Sequence, residues 1–183
     1  MMLPALTSDN TVLLLIDFQE RLFPVMHDKE KLLNNVIKLI RGAQVLEIPI
    51  IITEQYPKGL GPTIPEIKSL LPDIKPVEKT CFSCSDEPVF SEALESLKRK
   101  QVIIAGIEAH ICVYQTAAAL ARAGYQAEVA GDCVSSRDPG NKLAALCKLG
   151  AGGVSATTTE MALFELLKEA KGDKFKQISA MVK

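Results

Sequence analysis

One cysteine of this sequence lies where a catalytic nucleophile would be expected. Cys112 ends the run 106–112, which follows the apolar segment Val102-Ile103-Ile104-Ala105 and opens an alanine-rich stretch. The patterns predict a strand over 102–105 and a helix over 110–123, with Cys112 in the first turn of that helix. A thiol in this position feels the positive end of the helix dipole and free backbone N–H groups, which favour the thiolate. Cys112 is therefore the candidate nucleophile.

Two further residues at predicted strand ends have types that could work with this thiol. Asp17 follows the apolar run Val12–Ile16, and Lys79 closes a weaker strand. A lysine ammonium would lower the pKa of the thiol, and a carboxylate could take its proton, protonate a leaving group and later activate water. The backbone N–H groups of Glu108 and Cys112 are the nearest donors for a tetrahedral oxyanion. This chemistry is that of a nucleophilic hydrolase.

Strands and helices alternate along the chain in a way that would bring these residues together. Six strands alternating with helices predict an α/β fold: a three-layer, doubly wound, mostly parallel sheet of Rossmann-like topology. In such a sheet ligands bind outside the carboxyl ends of the strands, where strand order reverses. Asp17, Lys79 and Cys112 all fall on this edge. The predicted strands are 12–16, 49–53, 75–79, 102–105, 126–130 and 153–155, and the predicted helices run from Asp28 to Leu46 and over 65–71, 88–98, 110–123, 138–148 and 159–171.

Composition excludes several classes of protein. The 183 residues, 48% of them hydrophobic, predict a single domain over 1–183. A formal net charge of -1 and the absence of a long Lys/Arg cluster argue against a nucleic-acid surface. No apolar run has the length of a membrane span and no signal peptide is recognisable, so we expect a cytoplasmic protein that does not bind membranes. The odd number of cysteines, five, favours reduced thiols over a disulfide framework.

These motifs resemble the isochorismatase-like cysteine hydrolase superfamily over nearly the whole chain. The similar segments are Leu-Ile-Asp-Phe-Gln around Asp17, Glu-Lys-Thr-Cys-Phe-Ser around Lys79, and Ala-Gly-Ile-Glu-Ala-His-Ile-Cys ending at Cys112. The segment Thr53–Gly61 further resembles the branch called isochorismatase domain-containing proteins. The resemblance implies an isochorismatase-like fold, a catalytic triad made of this Asp, Lys and Cys, and a cis non-proline peptide bond between Ile107 and Glu108.

Two departures from related patterns refine what the resemblance implies. Nicotinamidases of the superfamily place Asp-x-His and a further His after the second strand to hold a metal, whereas this chain has Glu54-Gln55-Tyr56-Pro57 there and only His27 and His110 elsewhere. We therefore expect no metal and no cofactor. True isochorismatases lack the nucleophilic cysteine, which this chain keeps. The expected activity is hydrolysis of a C–N bond in a small amide, imide or carbamoyl-type substrate through a thioester.

A different class of function is suggested by Cys81-Phe82-Ser83-Cys84. A C-x-x-C after a strand and before a helix is typical of thiol–disulfide redox sites, and it is also half of a zinc site. Zinc needs two more ligands, and the remaining Cys and His residues offer no second pair at ligand spacing. The redox protein therefore stays open as an alternative, together with a non-catalytic hydrolase-like scaffold that binds a partner. In the hydrolase interpretation Phe82 and Cys84 pack beneath the site.

The substrate-binding surface is predicted from position on the sheet edge alone. His110 is not expected to form a dyad with Cys112, because residues two apart on a helix do not face each other. The loop 135–137 could reach the mouth of the pocket. The helix from His110 and the polar tail from Gly172 offer surfaces for a partner subunit, and the resemblance implies a homo-oligomer, a dimer or larger. The residues expected to line a pocket for a small molecule are Phe18, Gln19, Phe23, Tyr56, His110 and Tyr114.

Overall fold

The computed structural model of this chain describes residues 4–183, and a six-stranded sheet lies at their centre. Its strands are β1 Thr11–Ile16, β2 Ile50–Gln55, β3 Val77–Lys79, β4 Gln101–Ile107, β5 Gln126–Ser135 and β6 Ser155–Thr157. All neighbouring strands are parallel, in the order β3-β2-β1-β4-β5-β6. Strand order therefore reverses at β1 and β4, where a doubly wound sheet forms its ligand-binding crevice. The predicted α/β fold is confirmed.

Helices cover both faces of the sheet. They are α1 Lys29–Val45, α2 Pro57–Leu60, α3 Pro65–Lys68, α4 Pro88–Ser96, α5 Tyr114–Arg122, α6 Pro139–Ala151, α7 Thr159–Leu167 and α8 Gly172–Val182, with a π-helix at Ala109–Val113 and 3₁₀ turns at Phe23–Val25 and Cys84–Asp86. Within residues 4–183, none of the helices combines the length and the apolar character needed to cross a bilayer.

Successive side chains of β1 point to opposite faces, so this strand contributes to two hydrophobic cores. Leu13 and Leu15 pack with the apolar sides of α1, α7 and α8, whereas Val12, Leu14 and Ile16 pack with those of α4, α5 and α6. Each fully buried aliphatic side chain contributes about 1.5–3 kcal/mol to folding. The continuous apolar run of β1 thus follows from burial on both faces.

At the carboxyl end of the sheet, β1 and β4 approach each other unusually closely. Ile16 and Gly106 are paired in register, and a Cβ on Gly106 would lie 2.5 Å from the Cβ of Ile16 and 2.7 Å from its carbonyl oxygen. Only glycine fits such an approach. As a result the residue after Ile16 and the segment that leads from Gly106 to Cys112 leave the sheet side by side.

The structure extends one predicted strand and assigns a different role to the C-terminal tail. β5 continues past Gly131 and Asp132 to Ser135, because a bulge in β5 between Val129 and Val134, opposite Ile104 and Gly106 of β4, accommodates its extra residues. The tail from Gly172, expected to dock on a partner subunit, is α8 and packs on α1 and α7 of its own chain, with Ile178 fully buried.

Candidate active site

Asp17 is the residue after β1, and its carboxylate is completely buried. It adopts a left-handed backbone conformation (φ 56°), which Asp tolerates better than most residues. The chain turns off the sheet here, and the N–H of Gln19 donates to the carbonyl oxygen of Asp17 at 2.8 Å. Each carboxylate oxygen accepts one hydrogen bond: Oδ1 from the hydroxyl of Thr53 and Oδ2 from Nζ of Lys79, both at 2.7 Å.

Lys79 ends β3, and its side chain has no exposed surface. Besides Asp17, its ammonium donates to Oε1 of Gln55 at 2.7 Å and to the carbonyl oxygens of Cys81 and Phe82 at 3.4 Å. Burial acts to lower the pKa of Lys79, but several opposing influences, of which the charge of Asp17 is the largest, together act more strongly, so the pKa is raised above its ordinary value. Lys79 therefore keeps its positive charge at neutral pH.

Cys112 lies in the π-helix Ala109–Val113 and not in the first turn of an α-helix, since α5 begins only at Tyr114. Single π-helical turns are frequent at functional sites. The residue is 6% exposed. Burial raises the pKa of the Cys112 thiol, the charge of Asp17 raises it further, and Lys79 opposes both only in part. This direction is opposite to the predicted stabilisation of a thiolate by the helix end.

The structure brings the three predicted residues Asp17, Lys79 and Cys112 into one site. Asp17 and Lys79 form a buried ion pair, and both charges act on the thiol of Cys112. The peptide bond between Ile107 and Glu108, four positions before the cysteine, is cis, as the resemblance implies. The arrangement combines a nucleophilic atom, a proton acceptor and a fixed positive charge.

The side chains of His110, which was expected to line a pocket, and of Glu108 make contacts with the loop after β5. The carboxylate of Glu108, 7% exposed, accepts the backbone N–H of Arg137 at 2.9 Å and pairs with Nε of Arg137 at 3.3 Å. The Nδ1 atom of His110 lies 2.9 Å from the hydroxyl of Ser136. The loop 135–137 therefore does reach this edge of the sheet, where these contacts tie it to the segment that leads to Cys112.

Phe18 and Gln19 do not line a surface that a substrate could reach, which contradicts their predicted binding role. Phe18 is 1% exposed and Gln19 is 0% exposed. The side-chain amide of Gln19 donates to the carbonyl oxygens of Gln55 and Gly61 at 2.9 and 2.7 Å, and its oxygen accepts the N–H of Gln55 at 2.7 Å. Gln19 therefore holds the loop after β2 in place.

The other aromatic residues of the predicted pocket lie in different surroundings. Tyr56 is 54% exposed and lines a cavity of about 340 Å³ that is also lined by Lys79. Phe23 is half-buried against the core next to α1. Tyr114 lies in a separate cleft beside α6, where the ammonium of Lys148 is 4.8 Å from the centre of its ring. Of these three, Tyr56 remains the candidate for substrate contact.

The surroundings of the two cysteines of the C-x-x-C motif disfavour the thiolate that a redox site needs. All five cysteines are free thiols in this structure. Cys84 is completely buried, its Sγ lies 3.9 Å from the hydroxyl of Thr53, and burial raises its pKa to about 11. Burial also raises the pKa of Cys81. Thiol–disulfide exchange depends on a thiolate, which these environments disfavour.

Glu54, which lies in the segment that carries metal ligands in nicotinamidases, makes structural hydrogen bonds here. The buried carboxylate of Glu54 accepts both the N–H and the hydroxyl of Thr63 at 2.7 Å. Over residues 4–183, no three His, Cys, Asp or Glu side chains are grouped closely enough to hold a metal ion. Glu54 therefore supports the loop after β2.

Three residues of the site were missed from the sequence. Thr53 and Gln55 bond the two charged residues, and the hydroxyl of Thr116, one turn after Cys112, accepts the backbone N–H of Cys84 at 2.9 Å. Thr53 and Gln55 are polar residues two apart at the carboxyl end of a predicted strand. This signal could have placed them on the face that carries the site.

Comparisons with known proteins agree with this geometry. The family profile described as the isochorismatase domain matches residues 11–161. Isochorismatase domain-containing protein 2 from Danio rerio is 40% identical over 177 residues, which cover 97% of this chain and 89% of that protein. The structure of MAR1 ribonuclease from Caenorhabditis elegans is 34% identical and superposes with a TM-score of 0.91 over 98% of this chain and 92% of that one.

A more distant structure shows the same fold. The YcaC gene product from Escherichia coli, an octameric hydrolase of unknown specificity, has a TM-score of 0.93 at 24% identity, over 99% of this chain and 92% of that one. The match to the family profile and the similarity to the fish protein both extend across the segments that contain Asp17, Lys79 and Cys112. This chain therefore belongs to the isochorismatase family.

Proposed function

We propose that this protein is a cysteine-dependent hydrolase that cleaves the C–N bond of a small amide, imide or carbamoyl-type substrate through a thioester intermediate. The observation that carries the proposal is the buried ion pair between Asp17 and Lys79, 2.7 Å between Oδ2 and Nζ, set beside the thiol of Cys112. Membership of a hydrolase family supports the same class of reaction.

In the proposed reaction, the raised pKa of Cys112 makes proton removal part of the attack. Asp17 accepts the proton as the sulfur bonds to the substrate carbonyl carbon, because each carboxylate oxygen has a second lone pair free beyond its existing hydrogen bond. Backbone N–H groups of Glu108 and Cys112 are proposed to stabilise the oxyanion. The C–N bond then breaks, and Asp17 returns the proton to the departing nitrogen.

The second half of the reaction uses the same carboxylate. Asp17 takes a proton from water as the water oxygen attacks the thioester carbon, and it returns this proton to the sulfur as the C–S bond breaks, which releases the acid and restores the thiol and the carboxylate. Lys79, whose protons are all directed to acceptors, supplies a fixed positive charge and no proton. Its role is to offset the negative charge that develops on sulfur.

A small and uncharged substrate fits the electrostatics of the site best. The charges of Asp17 and Lys79 offset each other, and the carboxylate of Glu108 is paired with Arg137. Cys112 itself is almost fully covered. A substrate with its own net charge would bring an uncompensated charge into this buried environment, at a large cost in free energy.

Two alternatives have weaker support. A redox function of Cys81 and Cys84 would need an activated thiolate, and burial raises the pKa of both. A binding scaffold without turnover would have no need of an intact Asp17, Lys79 and Cys112. The ribonuclease named above is similar in fold, but a chain with a formal net charge of -1 lacks the basic surface typical of nucleic-acid binding.

The proposed function is tested by exposing the protein to a panel of small amides, imides and ureas. We expect release of ammonia or amine, and a mass increase equal to the acyl group on the peptide that contains Cys112. The peptide with the exposed Cys147 provides an internal control and should remain unmodified. Turnover accompanied by an acyl adduct on any residue other than Cys112, or with no adduct in rapidly quenched samples, would contradict the covalent mechanism.

We also propose that the protein is a homo-oligomer, a dimer or larger. The octameric state of the YcaC relative supports self-association of this fold. Size-exclusion chromatography with light scattering at micromolar concentration should give a mass at least twice the 19.9 kDa of one chain. A monomer under these conditions would disprove the proposal.

A further inference from the structure

The two charged residues of the site come from strands that are not neighbours. Strand β2 lies between β1, which precedes Asp17, and β3, which ends at Lys79. The Lys79 side chain therefore has to cross β2 to reach the carboxylate. In register, Gln55 of β2 is paired directly with Lys79, and Thr53 is paired with Ile16, the residue before Asp17.

Strand β2 supplies one hydrogen-bond partner to each member of the ion pair. Thr53 and Gln55 are two residues apart and therefore project from the same face of the strand. The hydroxyl of Thr53 donates to Oδ1 of Asp17, and Oε1 of Gln55 accepts from Nζ of Lys79, both at 2.7 Å. The amide of Gln55 also donates to the carbonyl oxygen of Thr80 at 2.7 Å, which fixes the direction of its oxygen.

We propose that Gln55 is a positioning residue of this site, which holds the ammonium of Lys79 at the place from which it acts on Cys112. Gln55 does this from the middle of the span between β3 and Asp17, without touching the reacting atoms. The inference rests on the proposed function, because it assigns to Lys79 the task of stabilising the sulfur anion.

The chemistry of an amide suits this position. A lysine ammonium has three protons, and the second strong acceptor after Asp17 is the neutral oxygen of Gln55. A carboxylate there would add a second negative charge near the thiol and raise its pKa further. An apolar side chain would leave one buried N–H without its partner. The amide satisfies the ammonium without competing with the charge of Asp17.

The test measures how fast iodoacetamide alkylates Cys112 as a function of pH, followed on the Cys112 peptide by mass spectrometry. The ionisable groups that act on this thiol are Asp17, Lys79 and Cys84. In Gln55→Leu the ammonium loses one of its two 2.7 Å hydrogen bonds and is held less firmly, so the midpoint should rise by about half a pH unit and the rate at neutral pH should fall about threefold. Gln55→Glu keeps the acceptor but adds charge, and its midpoint should rise further.

A matched control is available at another glutamine. The amide of Gln44 donates to the carbonyl oxygen of Leu70 at 2.8 Å on an exposed surface, so Gln44→Leu removes a similar bond far from the site and should leave the profile unchanged. If Gln55→Leu does not fold, Gln55→Met, which is closer in length, takes its place.

A parallel Lys79→Ala variant distinguishes a failure of the inference about Gln55 from a failure of the role proposed for Lys79. If its midpoint rises and that of Gln55→Leu is unchanged or falls, Gln55 is not a positioning residue and the proposed function stands. If neither midpoint moves, Lys79 does not act on Cys112, and both the inference and the proposed role of Lys79 are overturned.

Discussion

Replacement of Cys112 by alanine is expected to lower amide turnover by a factor on the order of 10⁴ to 10⁶, since loss of the nucleophile in a comparable catalytic set costs about 10⁶ in kcat. Cys84, whose charge also acts on Cys112, is not expected to substitute, because it is completely buried with a pKa of about 11 and contacts Thr53. The measurement is ammonia release at saturating substrate, with enzyme concentrations high enough to detect residual rates.

The folded state of this variant should be close to that of the parent. The thiol is small, and alanine leaves only a minor cavity in the π-helix, so the free energy of unfolding should change by about 1 kcal/mol. Cys147→Ala, at an exposed thiol, is the matched control and should retain full activity. Activity of Cys112→Ala within tenfold of the parent would rule out a covalent intermediate on this residue.

The second large effect is expected for Asp17→Asn. Loss of the proton acceptor should lower kcat by about 10² to 10⁴. The substitution also leaves the ammonium of Lys79 buried without a countercharge, and breaking a buried pair in this way costs about 3–5 kcal/mol of stability. Turnover and denaturant-induced unfolding are the two measurements. An Asp17→Asn protein with normal turnover would remove the carboxylate from the mechanism.

Two further observations distinguish a catalytic carboxylate from a merely structural one. Because the charge of Asp17 raises the pKa of Cys112, its removal should shift the midpoint for alkylation of that thiol to lower pH even though turnover falls. The double variant Asp17→Asn/Lys79→Met should regain part of the lost stability, since no unpaired charge remains, but should stay inactive. A double variant that recovered activity would show that the ion pair has only a structural role.

Much of the fold could be predicted because its signals are local. The apolar run of β1, the helical spacing of α1 and the Asp-Pro start of α6 each specify an element from neighbouring residues. The right-handed connections of parallel sheets then limit the possible strand orders to a few. The bulge that lengthens β5 could not be predicted, because it depends on how Gly106 of β4 meets residues far along the chain.

For the site as well, features that depend on neighbouring residues could be predicted, and features that depend on contacts between distant segments could not. Asp17, Lys79 and Cys112 were identified because each follows or ends a strand, and that information is local. The raised pKa of Cys112 could not be predicted, because it results mainly from burial, which depends on how segments far apart in the sequence pack around the thiol. The contacts of Thr53 and Gln55 depend on the register between three strands, which no short segment specifies.

The three hydrogen bonds of Gln19 have a consequence for attempts to alter substrate preference. They join the residue after Phe18 to both ends of the segment 55–61, which carries Tyr56. Grafting this segment from another family member, or randomising it in a library, would therefore fail wherever the new backbone no longer presents two carbonyl groups and one N–H to the glutamine. Exchange of residue 19 together with the segment is the smallest unit of redesign that this architecture allows.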